Sequence, residues 1–154
     1  FRTNPERKNN MNPNLTYPSL HGLIRSTQIP ESLVRAVVRQ MGGWQSFTES
    51  APDICRGGID GGFHGFVYYS ETMPFAKKNM DAIRELATFQ AESLGVGVVE
   101  MIKGFRCLQG VTESEVLDGL AGIARPAGIN VLNGLAWYAA EEVARAYCDT
   151  FDPQ

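Results

Sequence analysis

Between residues 73 and 94, Phe75, Ala76, Met80, Ile83, Leu86, Ala87, Ala91 and Leu94 fall on one side of a helical wheel. Lys77, Lys78, Asp81, Arg84, Glu85 and Glu92 cover the other side. A segment so divided is a helix with one face committed to a core. Pro74 suits its first turn, with Ser70 or Thr72 as the cap. Two polar residues, Asn79 and Gln90, sit inside the apolar stripe, and a buried amide must find partners.

The same period recurs elsewhere. Leu33, Val34, Val37, Val38 and Met41 predict a helix from Pro30 to Met41, stopped by Gly42 and Gly43. Trp44 and Phe47 anchor a short helix or turn, and another is expected at Pro52–Arg56. Val98, Val99, Met101, Ile102 and Phe105 mark a shorter helix. Thr112 and Glu115 form a capping box for the next. Its face is Val116, Leu117, Leu120, Ile123 and Ala124, and Pro126 with Gly128 should stop it. Asn130 is placed to cap a last long helix over 131–148. Residues 1–20, rich in Asn and Pro, have no period and read as an extended arm. The expected organisation is an arm over 1–20 and a single helical domain over 21–154. The fold class is mainly α, with five to six helices, one Gly-rich loop and a short extended segment at 66–69. Hydrophobic residues make up 44% of the 154 and charged residues 20%, which suffices for a core and excludes a disordered chain.

The Gly-rich loop, GGIDGGFHG at 57–65, is the first place to look for chemistry. Bare backbone N–H groups can cradle phosphate. No GK[ST] follows, however, and no GxGxxG joins a long strand to a helix. Gly61, Gly62 and Gly65 therefore read as structural, with at least one at positive φ. Asn79, near the start of the longest stripe, is placed to bond that loop.

An enzyme reading would take Cys55 as nucleophile, His64 as base and Glu71 as acid or orienting group. No cysteine-protease signature surrounds Cys55. Cys55, Cys107 and Cys148 are far apart in sequence and lack metal-ligand spacing, so no metal or cofactor is assigned. Their pattern fits a reduced, cytosolic setting. No apolar run reaches the length of a membrane helix.

Charge is uneven. Residues 1–41 hold six bases against two acids, whereas 112–154 hold two bases against seven acids. A nucleic-acid reading would use Arg2, Arg7, Lys8, Arg25, Arg35 and Arg39, but their low density argues against direct nucleic-acid binding. The acidic end offers complementarity to a basic partner. Trp137 falls opposite the apolar stripe of the last helix, with Gly134 and Glu141 on its side. Either that helix is central and buried nearly all round, or Trp137 is presented to a partner.

GGFHGFVYYSETMPFAKKN (61–79), LGVGVVEMIKGFRCL (94–108) and NGLAWYAAEEVARAY (133–147) resemble a family of small uncharacterised proteins. Bacteriophages, plasmids and their bacterial hosts carry them. The likeness spans roughly 32–148 and carries the pattern G-F-x-G-F-x-Y-Y-x-[DE]-T. It implies a genomic setting in which small accessory proteins often inhibit host defence, including CRISPR–Cas complexes. The expectation is a non-catalytic inhibitor of anti-CRISPR type, acting in the bacterial cytoplasm on a host defence protein such as a CRISPR–Cas effector. Asp60 and His64 on the loop, with Trp137 and Glu141 on the last helix, would meet the partner.

Overall fold

The computed structural model describes residues 17–57, 69–125 and 130–151. Among them the protein is all-helical, with eight α-helices, one 3-10 turn and no strand. The helices are α1 (Leu20–Ser26), α2 (Glu31–Gln40), α3 (Trp44–Gly57), α4 (Tyr69–Lys78), α5 (Met80–Leu94), α6 (Val98–Lys103), α7 (Glu113–Leu120) and α8 (Val131–Phe151), with the 3-10 turn Arg106–Leu108 between α6 and α7. The mainly α expectation holds. The helix count exceeds the expected five to six. Of the expected Gly-rich loop at 57–65 and extended segment at 66–69, residues 58–68 lie outside the described residues, while Gly57 ends α3 and Tyr69 opens α4 instead of extending a strand.

The chain divides into two units, one of residues 1–65 and 140–154 and the other of residues 66–139. In the first, Ser19 starts α1 by accepting the Gly22 N–H at 3.0 Å. This short helix carries too little period to be legible in advance. In α2, Leu33, Val34, Val37 and Val38 are buried. The helix ends where Gly42 and Gly43 take φ of 101° and 107°. Their N–H groups return to the carbonyls of Arg39 and Val38, closing the helix end with conformations that favour glycine.

Pro52 does not divide α3, contrary to the expectation of two short pieces. An interior proline costs about 3 kcal/mol. Phe47, Ala51 and Ile54, at i, i+4 and i+7, are nevertheless all buried on one face. Burying Phe and Ile contributes about 1.5–3 kcal/mol each, enough to carry the helix through the proline. Tyr147 packs edge-on against Trp44 and Phe47 at 5.7 and 5.6 Å, and Phe151 lies 5.5 Å from Tyr147. These aromatics fix α3 against the C-terminal half of α8.

In the second unit the 73–94 stripe is two helices, and the first starts at Tyr69 rather than at Pro74. Thr72 therefore lies inside α4 instead of capping it. Asn79, at φ −108° and ψ 18°, separates α4 from α5. Phe75, Ala76, Met80, Ile83, Leu86, Ala87 and Ala91 are buried as the stripe requires. Leu94 is exposed, because the chain turns away at Gly95, whose φ is 75°. The Thr112–Glu115 capping box forms in full. Its helix stops at Leu120, earlier than expected. The Ile123 N–H reaches the Asp118 carbonyl at 2.8 Å, and Gly122 takes φ 82°. Leu117 and Ile123, expected on the buried face, are exposed.

Two glycines permit close approach. A Cβ on Gly119 would lie 2.5 Å from Val131 Cγ1, and one on Gly134 would lie 2.8 Å from Leu108 Cδ2. Gly134, expected on the open side of the last helix with Trp137, is instead buried against Leu108.

Candidate functional site

The start of α8 is fixed by Asn130, whose Oδ1 accepts the Leu132 N–H at 3.0 Å. From 131 to 144 every residue of this helix is buried except Asn133, Trp137, Glu141 and Glu142. Over this stretch the helix is buried on most sides, and its less buried side is a narrow ridge. Asn133, Trp137 and Glu141, spaced by four, spread over only about 80° of the wheel. All three are half-buried. The ridge offers an amide, an indole and a carboxylate in succession.

The end of the G-F-x-G-F-x-Y-Y-x-[DE]-T pattern supports the start of this ridge. Its final residue, Thr72, is fully buried, and its hydroxyl donates to Asn133 Oδ1. Glu71, one residue earlier, is half-buried. Asn130 Nδ2 points to Met73 Sδ at 3.3 Å. The pattern therefore ends in a polar clasp that orients the amide of Asn133 one turn before Trp137. Nearby, Phe105 stacks on Tyr138 at 4.9 Å, and the Tyr138 hydroxyl donates to Gln90 Oε1. That bond satisfies the polar residue within the α5 stripe.

Further along α8 the charges answer one another. Arg145 lies 3.7 Å from both Glu141 and Glu142. Glu141 is one turn beyond Trp137, as the sequence requires, and the arginine neutralises part of the acidity around it. Arg125 pairs with Asp118 at 2.5 Å. The carboxyl of Glu115 is held below its ordinary range, chiefly because it accepts the Thr112 backbone N–H.

Asp60, Gly61, Gly62, His64 and Gly65 lie outside the described residues. Asn79 is half-buried, and its Nδ2 donates to the Phe75 carbonyl at 2.9 Å. The amide thus stitches the joint between α4 and α5. Glu71 and Cys55 belong to different units. The Cys55 thiol points to Cys148 Sγ at 2.7 Å and to the Ala144 carbonyl at 3.3 Å. Of the basic residues, Arg2, Arg7 and Lys8 are outside the described region. Arg25 and Arg39 are exposed, and Arg35 pairs with Glu31 at 2.8 Å. Among the described residues no group of three His, Cys, Asp or Glu side chains could hold a metal ion. None of the described helices is long and apolar enough to cross a membrane.

Trp137 and Glu141, singled out from the sequence, both lie on the less buried side of α8, whereas the pairings of Thr72 with Asn133 and of Cys55 with Cys148 were not foreseen. Each pair is joined across many residues, and no local spacing announces it.

A family model described as a domain of unknown function (DUF7222) matches residues 27–152. No curated protein and no solved structure matches the chain.

Proposed function

The chain belongs to this family of domains of unknown function, and from its residues we propose that it acts by binding a protein, as a phage- or mobile-element-encoded inhibitor of a bacterial defence complex of the CRISPR–Cas type. The observation that carries the binding role is the ridge of α8. A partly buried tryptophan on the less buried side of α8, with a carboxylate one turn on, supplies the large apolar anchor and charged neighbour that dominate many interfaces. The assignment to host defence rests on the resemblance to phage and plasmid accessory proteins. The excess of acids over bases after residue 112 suits a basic, nucleic-acid-binding groove on the partner.

The test is capture from a bacterial lysate that contains an active CRISPR–Cas system, with the bound proteins identified by mass spectrometry. The wild-type chain should retain an effector subunit. Trp137→Ala should lose it while keeping its helical circular dichroism. Glu141→Lys, which leaves the anchor in place, should weaken retention and make it less sensitive to salt. Recovery of no defence component by the wild-type chain would overturn the proposal.

A further inference from the structure

Cys55 and Cys148 stand 93 positions apart in sequence, yet their sulfurs are 2.7 Å apart. Both belong to the same unit of the chain, and both residues are half-buried rather than sealed in the core. Their placement follows from the packing of α3 on the C-terminal half of α8. Ala144 and Cys148, at i and i+4, share one face of α8. The Cys55 thiol points to that face, with its sulfur 3.3 Å from the Ala144 carbonyl oxygen. The Trp44, Phe47 and Tyr147 rings pack between the same two helices and hold them in register. On α3, Ile54 beside Cys55 is buried, which fixes the helix's rotation. The two thiols are therefore presented to each other by a packed interface.

We propose that Cys55 and Cys148 are a reversible dithiol–disulfide couple, oxidised by small-molecule disulfides of the glutathione type, which staples α3 to the end of α8. The exchange proceeds in two steps. One cysteine loses its proton to solvent, and its thiolate attacks a sulfur of the small disulfide. That disulfide bond breaks, a mixed disulfide forms on the protein, and one small thiolate leaves and takes up a proton. The second cysteine, deprotonated in turn, attacks the protein sulfur of the mixed disulfide and expels the second small thiolate, which is also protonated. Two protein thiols have lost two electrons, and one small disulfide has become two small thiols. The proximity of the two sulfurs makes the second step intramolecular and fast, so the mixed disulfide does not accumulate. Cys107, exposed and on the other unit, takes no part in this step.

The purified full chain, carrying Cys107→Ser to suppress dimers, is equilibrated with reduced and oxidised glutathione at varied ratios, then quenched and read by mass spectrometry. The expected product has lost two hydrogen atoms, carries no glutathione, and yields a peptide cross-linked through Cys55 and Cys148. Closing so long a loop should raise Tm by about 10 °C, reversed by reductant. Adding Cys55→Ser should leave Cys148 holding a stable glutathione adduct and abolish the Tm rise. Cys148→Ser should do the same at Cys55, and serves if the first variant fails to fold. Retention of both thiols under oxidised glutathione, or stable adducts on both in the chain that carries them, would overturn the couple. Neither outcome bears on the capture of a defence protein, which is read separately.

Discussion

Adding one methyl group at Gly119 puts the packing account at risk. In an exposed helix interior, Gly→Ala stabilises by about 0.8–1 kcal/mol, because alanine has less backbone entropy to lose. Gly119 is buried within α7, and the new Cβ would lie 2.5 Å from Val131 Cγ1 and 2.7 Å from Val131 Cβ. Neither atom is the end of a flexible chain. Val131 is β-branched, stiff at χ1 and 3% exposed at the first turn of α8. Relief therefore requires α7 and the start of α8 to move apart, and overpacking of this kind costs about 1–3 kcal/mol. Set against the propensity gain, Gly119→Ala should be destabilising by up to about 2 kcal/mol, a fall in Tm of up to about 8 °C for a chain of this size. Thermal melts by circular dichroism measure it. The double variant Gly119→Ala with Val131→Ala removes the nearest clashing atom and should cost less than the sum of the single changes. A rise in Tm for Gly119→Ala alone would refute the close approach of these two helices.

Other perturbations have equally definite signs. Ile83→Ala or Leu86→Ala should each cost about 2–5 kcal/mol in chemical denaturation, since both side chains are buried on α5; an unchanged midpoint would remove that stripe from the core. Thr72→Val keeps the shape but strips the donor from Asn133, and should cost about 1–3 kcal/mol, whereas pairing it with Asn133→Leu should recover part of the loss. Asn79→Ala should cost only about 0.5–1.5 kcal/mol, because the Phe75 carbonyl it serves also accepts the Asn79 backbone N–H. Glu115 is held below its ordinary pKa, so its contribution is complete above the usual carboxylate range and is lost as pH falls through the lower folded value. Glu115→Gln should flatten the acid side of a stability–pH profile measured by urea denaturation, and an unchanged profile would count against the capping box as its cause.

Much of the fold was legible because it is written in local spacing. The period of Leu33 to Val38, the paired glycines at 42 and 43, the Thr112–Glu115 box and the Asn130 cap each act within a few residues. Their readings agree with the structure. Errors arose where tertiary packing overrode local preference. Pro52 lies inside α3 because Phe47, Ala51 and Ile54 bury one continuous face, and Thr72 lies inside α4 because Asn133 satisfies its hydroxyl. Leu117 and Ile123 show the opposite failure. Ile123 lies beyond the early helix end at the left-handed Gly122, and Leu117, within α7, is exposed, which its spacing could not have revealed. At the candidate site, Trp137 stood out because a large ring opposite an apolar stripe is anomalous on a helical wheel. The partners that set its surroundings did not stand out, since Asn133 meets Thr72 across 61 positions. The Cys55–Cys148 approach was hidden for the same reason, and the sequence offered only three scattered thiols.

Phage plating efficiency on a host with an active, targeting CRISPR–Cas system most directly tests the claim that the α8 ridge blocks a defence complex. Expression of the wild-type chain should restore plating toward the level of a host lacking the system. Expression of Trp137→Ala at equal abundance should leave the phage restricted. Failure of the wild-type chain to raise plating, or equal rescue by Trp137→Ala, would contradict the account.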